Sequence, residues 1–148
     1  MRVRPATQAD REKLLSLIRG YFDFYQTAFP GPAQMGSLLD RLDADEGLGI
    51  VLVAQEGNDL LGFATLYSTF DTLVAGPILV MNDLFVSAQA RRAGIGAALL
   101  AAARQYGGEK GYLRIDWVTA NDNLAAQRFY DRQGGRRGNW TTYSLPVR

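Results

Sequence analysis

Apolar residues recur along the chain at two different spacings, and the changes between them divide it into elements. Leu14, Leu15, Ile18, Tyr21, Phe22 and Tyr25 fall three and four apart and form one stripe of a helix. Ahead of it, Val3-Arg4-Pro5-Ala6 reads as a short strand. Thr7-Gln8-Ala9-Asp10 then offers a helix start, with a hydroxyl and an acid three residues apart. Pro30-Gly31-Pro32 ends the first helix, and a second is predicted from about Ala33 to Leu42.

From Gly49 the spacing changes. Gly49 to Gln55 is a continuous apolar run of strand length, Gly57-Asn58-Asp59 supplies a turn, and Leu61 to Tyr67 completes a hairpin, with an extension to Phe70 as the longer alternative for its second strand. After a turn from Leu73 to Gly76, a further strand passes through Ile78-Leu79-Val80-Met81 and ends in Asn82-Asp83-Leu84-Phe85-Val86. Ile95, Leu99, Ala103 and Tyr106 then mark one face of an alanine-rich helix, expected to stop at Gly107-Gly108. Leu113 to Val118 predicts a fifth strand, Leu124 to Gln133 a fourth helix closed by Gly134-Gly135, and Trp140 to Val147 a last strand whose Pro146 suits an edge. The order is β-α-α-β-β-β-α-β-α-β, an α/β fold on a mixed sheet, with no repeat or linker.

Composition narrows the chemistry. At 148 residues, 47% hydrophobic and 21% charged, the chain suits one domain spanning residues 1–148. No run of eighteen apolar residues occurs and the first twenty residues lack a signal-peptide pattern, so a soluble, cytoplasmic protein without membrane association is expected. Neither cysteine nor histidine is present. Thiolate chemistry, a Ser-His-Asp triad and an ordinary zinc site are thereby excluded, and no metal is expected. A net charge of +1 argues against nucleic acid as the main ligand. Residues 1–70 carry six Arg/Lys against nine Asp/Glu, and residues 71–148 ten against six. The C-terminal part can therefore attract an anion and the N-terminal part a cation, unless the charges are simply solvated.

The segment Arg91-Arg92-Ala93-Gly94-Ile95-Gly96 lies between a strand and a helix. A glycine turn at that position aims backbone N–H groups and the positive end of the helix dipole at one point, which suits phosphate or pyrophosphate. A Walker A loop fails, because Gly96 is followed by Ala97-Ala98 rather than Lys-Ser/Thr. A dinucleotide fold would use Asp116 as its ribose acid. Leu99 stands at its third glycine position, however, and only 32 residues follow Asp116. A glycine turn of no chemical purpose stays open on this motif alone.

Strand, Arg-x-x-Gly-x-Gly, helix, strand, then Asn-x-x-Ala-x-x-x-Tyr resembles the acetyl-CoA-dependent N-acetyltransferases of the GNAT superfamily. The first motif matches at Arg91, Gly94 and Gly96, the second at Asn123, Ala126, Tyr130 and Gly134. Tyr21-Phe22-Asp23-Phe24-Tyr25 and Trp117-Val118-Thr119-Ala120 are similar to a bacterial branch related to yeast histone and polyamine acetyltransferases. The resemblance implies a GNAT-like sheet of about six to seven strands flanked by about four helices. It implies acetyl-CoA as co-substrate, bound by Arg91, Arg92, Ala93, Gly94, Ile95 and Gly96 at the pyrophosphate and by the main chain of Leu84, Phe85 and Val86 along the pantetheine arm. Asn123 and Tyr130 would lie near the cofactor, and Tyr130 would protonate the departing thiolate. That branch often carries Glu-Asp where this chain has Asn82-Asp83, a departure at the usual carboxylate.

The acceptor implied is a primary amine: a small amine, a polyamine or a lysine side chain. An ammonium group must lose a proton before it attacks, and without histidine that task falls to a carboxylate, a tyrosine or water. Asp83 is the first candidate and Asp116 the second. Asp43, Asp45 and Glu46 would draw in a cation, and Tyr21 and Tyr25 would line the acceptor pocket or pack in the core. Two other readings are a non-catalytic acyl-CoA sensor and an acetyltransferase of protein N-termini. The last strand leaves an edge for a homodimer.

Overall fold

A computed structural model describes residues 1–91 and 94–148, which divide into two compact units, Met1–Trp117 and Val118–Arg148. In the first unit the described elements are β1 (Arg2–Pro5), α1 (Arg11–Phe24), α2 (Pro32–Ala44), β2 (Gly49–Glu56), β3 (Asp59–Asp71), β4 (Gly76–Val86), α3 (Ile95–Glu109) and β5 (Ile115–Asp116). The strands lie side by side in chain order, antiparallel from β1 to β4 and parallel between β4 and β5. The single parallel pair is the one whose connection contains a helix, α3, as such a crossover requires. No helix among the described residues is long and apolar enough to cross a membrane.

Helices cover both faces of the sheet. On one face Leu14, Leu17, Ile18, Leu39 and Leu42 of α1 and α2 bury against Val51, Val53, Phe63 and Phe85. On the other, α3 packs its buried Ile95, Leu99 and Ala103. Each fully buried Leu or Phe contributes about 1.5–3 kcal/mol by leaving water, so the two layers rather than helix propensity hold these elements in place.

The turn into α1 is secured by charge. The Asp10 carboxylate accepts from the Thr7 backbone N–H at 2.8 Å and from both Arg4 guanidinium ends at 2.7 and 2.8 Å. The Arg4 hydrogen bonds, with those of Thr7, hold the Asp10 carboxyl well below the usual carboxylate range despite its burial. The Thr7–Asp10 start expected from sequence is thus present, with Arg4 as an added partner.

Three expectations are corrected. Helix α3 does not stop at Gly107-Gly108 but continues to Glu109. Gly107 is buried, and a Cβ there would lie 3.4 Å from Leu79 Cδ1, so this glycine lets the helix approach the sheet. The fifth strand shrinks to Ile115–Asp116, although the Leu113 N–H still donates to Pro77 O at 3.0 Å and the Leu79 N–H to Arg114 O at 3.0 Å. Trp140 to Val147 forms no strand: Trp140, Tyr143, Leu145 and Val147 are 85–94% exposed. An apolar strand pattern becomes a strand only where a ladder partner exists. Among the described residues the sheet therefore has five strands rather than six or seven.

In the second unit, α4 (Leu124–Arg132) starts at Asn123, whose Oδ1 accepts from the Ala126 N–H at 3.1 Å. It closes at Gly134, where φ is +86°. There the Gly135 N–H donates to Tyr130 O at 2.9 Å and the Gly134 N–H to Asp131 O at 3.2 Å, the two bonds of a left-handed glycine cap. Both ends fall where the sequence placed them, to within one residue.

Candidate active site

The site-bearing segment of the first unit is the far end of β4. Its β5 ladder consists of Leu79–Ile115 and Val80–Asp116 and goes no further, while β3 pairs with β4 up to Gly62–Val86. Residues 81–86 therefore keep one strand neighbour and run past the end of the other. A main-chain edge of this kind can accept an extended ligand in place of a strand.

A register shift decides which side chains this segment presents. Thr65 pairs with Asp83 and Leu66 with Met81, leaving Asn82 as an extra residue on β4. Side chains of a regular strand alternate, so residues 79 and 85 should share a face. They do not: Leu79 lies against Gly107 of α3, whereas the Phe85 ring is 3.5 Å from the Cβ position of Gly20 in α1. The bulge at Asn82 exchanges the two faces. It turns Asp83, two residues before Phe85, to the side of α1 and α2.

There Asp83 is held by neutral donors. The Thr65 hydroxyl donates to its Oδ2, and the Asn82 side-chain amide donates to the same oxygen at 3.1 Å. Among the described residues no hydrogen bond engages Oδ1. Tyr67 follows Thr65 by two residues on β3, and burial, reinforced by the Asp83 charge and opposed by a hydrogen bond with Thr65, pushes its phenol above the ordinary value.

The other acids named from sequence have committed partners. Asp116 accepts from Arg114 Nε at 2.9 Å and from its terminal nitrogen at 3.1 Å, and the same guanidinium grips Asp71. Glu46 pairs with Lys110 at 2.7 Å, and Asp43 with Arg11 at 3.1 Å and Gln8 at 2.6 Å. Asp45 closes its own loop by accepting from the Gly47 N–H at 2.9 Å. Each of these acids thus has a partner among the described residues.

At the opening of α3, Gly94 has φ +72°, a left-handed conformation that L side chains rarely adopt, and a Cβ there would enter open space. The first intrahelical bond runs from the Ala98 N–H to Gly94 O at 3.0 Å. The amides of Ile95, Gly96 and Ala97 precede it, at the positive end of the helix dipole. Ile95 is buried and fixes this turn on the core. The turn thus fits an anionic group such as the pyrophosphate of a coenzyme: open room beside a glycine and several amides with a common aim. Arg92 and Ala93 lie outside the described residues.

Arg91 is engaged with the protein itself. Its guanidinium lies 4.6 Å from the Phe24 ring centroid and 5.8 Å from that of Phe85, and its Nε donates to Val86 O at 3.2 Å. It ties the end of β4 to the end of α1, a cation–π arrangement worth about 0.5–1 kcal/mol at an exposed site. Phe85 is buried among Tyr21, Phe24 and Phe63, while Leu84 and Val86 are half-buried. Tyr21 packs against the core and Tyr25 is exposed, with their rings in edge contact.

Asp83, Leu84, Phe85, Val86 and Arg91 are brought together on one strand end and the turn after it. Asn123 and Tyr130 belong to the second unit, where Asn123 caps α4 and the half-buried Tyr130 ring lies 5.3 Å from Phe129. Sequence reasoning missed Asn82 as a bulge, Thr65 as the partner of Asp83, and Tyr67. One signal was available: Thr65 is a lone polar residue in the run Phe63-Ala64-Thr65-Leu66.

Comparison with known proteins bears on the family and the fold. The model of the Acetyltransferase (GNAT) family matches residues 18–135. An uncharacterised N-acetyltransferase of Bacillus subtilis, YhfO, is 33% identical over 134 residues, which is 90% of this chain and 89% of the relative. The D-amino-acid N-acetyltransferase HPA3 of Saccharomyces cerevisiae is 27% identical over 131 residues, 88% of this chain and 81% of its own. The crystal structure of a probable acetyltransferase superposes with a TM-score of 0.87 at 29% identity, covering 100% of this chain and 99% of that one.

Proposed function

The chain belongs to the GNAT acetyltransferase family, and from that premise we propose that it transfers the acetyl group of acetyl-CoA directly to the primary amine of a small molecule. Polyamines and lysine side chains carry the same reacting group. The yeast relative, a D-amino-acid N-acetyltransferase by name, supports a small acceptor. Bound acetyl-CoA supplies an activated thioester, and the rest is work for this chain's residues.

The amides of Ile95, Gly96 and Ala97, opened by Gly94, bind the pyrophosphate, with Arg91, Arg92 and Ala93 completing that loop by resemblance to the family. The main chain of Leu84, Phe85 and Val86 aligns the pantetheine arm along the open edge of β4, and an N–H near Leu84 or Phe85 polarises the thioester carbonyl. Asp83 takes the proton of the acceptor ammonium on Oδ1, and the freed amine attacks the carbonyl carbon. By resemblance to the family, Tyr130 would give its phenol proton to the sulfur as the C–S bond breaks, a phenol being protonated and so able to donate at neutral pH, while the second proton lost by the acylated nitrogen passes through solvent to restore the phenol. Asn123 shapes the start of α4 close to the cofactor. No acyl-enzyme is required, and the chain has no cysteine to form one.

The observation that carries this reading is the Asn82 bulge, which turns one carboxylate to the α1–α2 side beside a main-chain edge with no β5 partner. A panel of amino acids, diamines and peptides incubated with acetyl-CoA, read by release of free thiol, tests it. Turnover with small amines is expected. Acetyl-CoA binding in titration calorimetry without thiol release from any amine would favour an acyl-CoA sensor, and turnover confined to peptide N-termini would favour an N-terminal acetyltransferase. Within the small-amine reading, Tyr130→Phe lowers kcat and leaves acetyl-CoA affinity nearly intact.

A further inference from the structure

A buried hydroxyl rarely spends its proton without structural consequence, and Thr65 is 5% exposed in the middle of β3. Its O–H is directed at a carboxylate across the strand pair, at the one place where the ladder carries an extra residue. Two donors, the Thr65 hydroxyl and the Asn82 amide, converge on Oδ2 of Asp83, and neither is a cation. A carboxylate held by both on one oxygen has its plane and rotamer fixed, while the syn and anti lone pairs of the other oxygen stay available. A lysine or arginine in either position would have formed an ion pair instead, as Arg114 does with Asp116.

We propose that Thr65 is a positioning residue for acetyl transfer: its hydroxyl, with the Asn82 amide, anchors Oδ2 of Asp83 so that Oδ1 faces the acceptor ammonium. The inference rests on the reading of Asp83 as the base and adds a residue that no family motif in this chain contains. The bulge is part of the device. Were Asn82 paired in regular alternation instead of bulged, Asp83 would fall on the α3 face and away from Thr65. The proton moves from the substrate ammonium to Oδ1, and the Thr65 and Asn82 hydrogen bonds persist through that step, so nothing else must rearrange.

Thr65→Val keeps the shape and removes the donor, and Thr65→Ser keeps the donor and removes a methyl. With the best amine from the panel, Thr65→Val should lose about tenfold in kcat, the size expected for one hydrogen bond to a charged group. Its KM for acetyl-CoA should stay near wild type, and Thr65→Ser should recover kcat to within about twofold. The decisive measurement is the double variant. If Thr65 acts through Asp83, adding Thr65→Val to Asp83→Asn costs little more in kcat than Asp83→Asn alone. An equal tenfold loss in both backgrounds, or a wild-type kcat for Thr65→Val, overturns the inference. If Thr65→Val melts early, Thr65→Cys, a weak donor of similar volume, replaces it and should fall between Val and Ser. A wild-type kcat for Asp83→Asn would remove the base assignment itself, an outcome distinct from an active Thr65→Val beside an inactive Asp83→Asn.

Discussion

Two carboxylates on the α1–α2 side of the sheet are each gripped by several donors, and those donors differ in charge. At the β1 corner, Asp10 faces Arg4 through two parallel hydrogen bonds and is 6% exposed. A fixed cation cancels its charge, so its free energy goes into holding the start of α1. At the β4 bulge, the described residues hold Asp83 on one oxygen only, through a hydroxyl and an amide. Neutral donors orient a carboxylate without neutralising it. The difference between the anchor and the proposed base therefore lies in the charge of the neighbours, in whether the described partners leave an oxygen over, and in burial, since Asp83 is only half-buried.

The contrast can be broken from either side. The largest effect should come from Asp83→Asn, which removes the proton acceptor while keeping shape; kcat should fall by about 10²- to 10⁴-fold with little change in Tm. Steady-state kinetics beside a thermal melt checks it, and a drop in Tm without a drop in kcat would make Asp83 another anchor. Asp10→Asn should show the reverse pattern. Stability should fall by about 3 kcal/mol, because the Arg4 guanidinium loses its counter-charge, while kcat at 25 °C stays near wild type. The same pair predicts a pH dependence. The folded-state pKa of Asp10 is depressed, so its stabilisation is complete above about pH 4 and is lost as pH falls toward the lowered value. Wild-type denaturant midpoints should drop in that acid range, and the drop should shrink in Asp10→Asn. The smallest effect belongs to Asp116→Asn, an exposed acid already paired with Arg114, whose kcat should change by less than about twofold.

Much of the fold was legible because its signals are local. The 3.6-residue spacing of Leu14, Ile18 and Tyr21 and the apolar runs at 49–55 and 78–81 describe elements whose faces depend only on near neighbours. The Arg91–Gly96 loop was legible for the same reason: a left-handed glycine at a helix opening is a property of a few consecutive residues. Gly107 misled because a glycine near a helix end has two uses, a cap or a close approach, and the second is defined by Leu79, which is distant in sequence. The tail from Trp140 misled because its strand pattern was real while the partner needed to realise it was not in the described sheet.

The amino-acid order by itself determined the element sequence as far as α4, the glycine turn that opens α3, and the restriction of acid–base chemistry to carboxylates, tyrosines and water. The tertiary structure alone decided which face each carboxylate takes and which partners it meets. Alternation along β4 assigns Asp83 to a face only once the extra residue at Asn82 is placed, and that depends on how Thr65 and Leu66 register against it from β3. The neutralisation of Asp10, Asp43, Glu46 and Asp116 likewise depends on cations brought to them by the fold. Periodicity is written in covalent neighbours, whereas register and ion pairing are set by packing between segments that the chain brings together only when it folds.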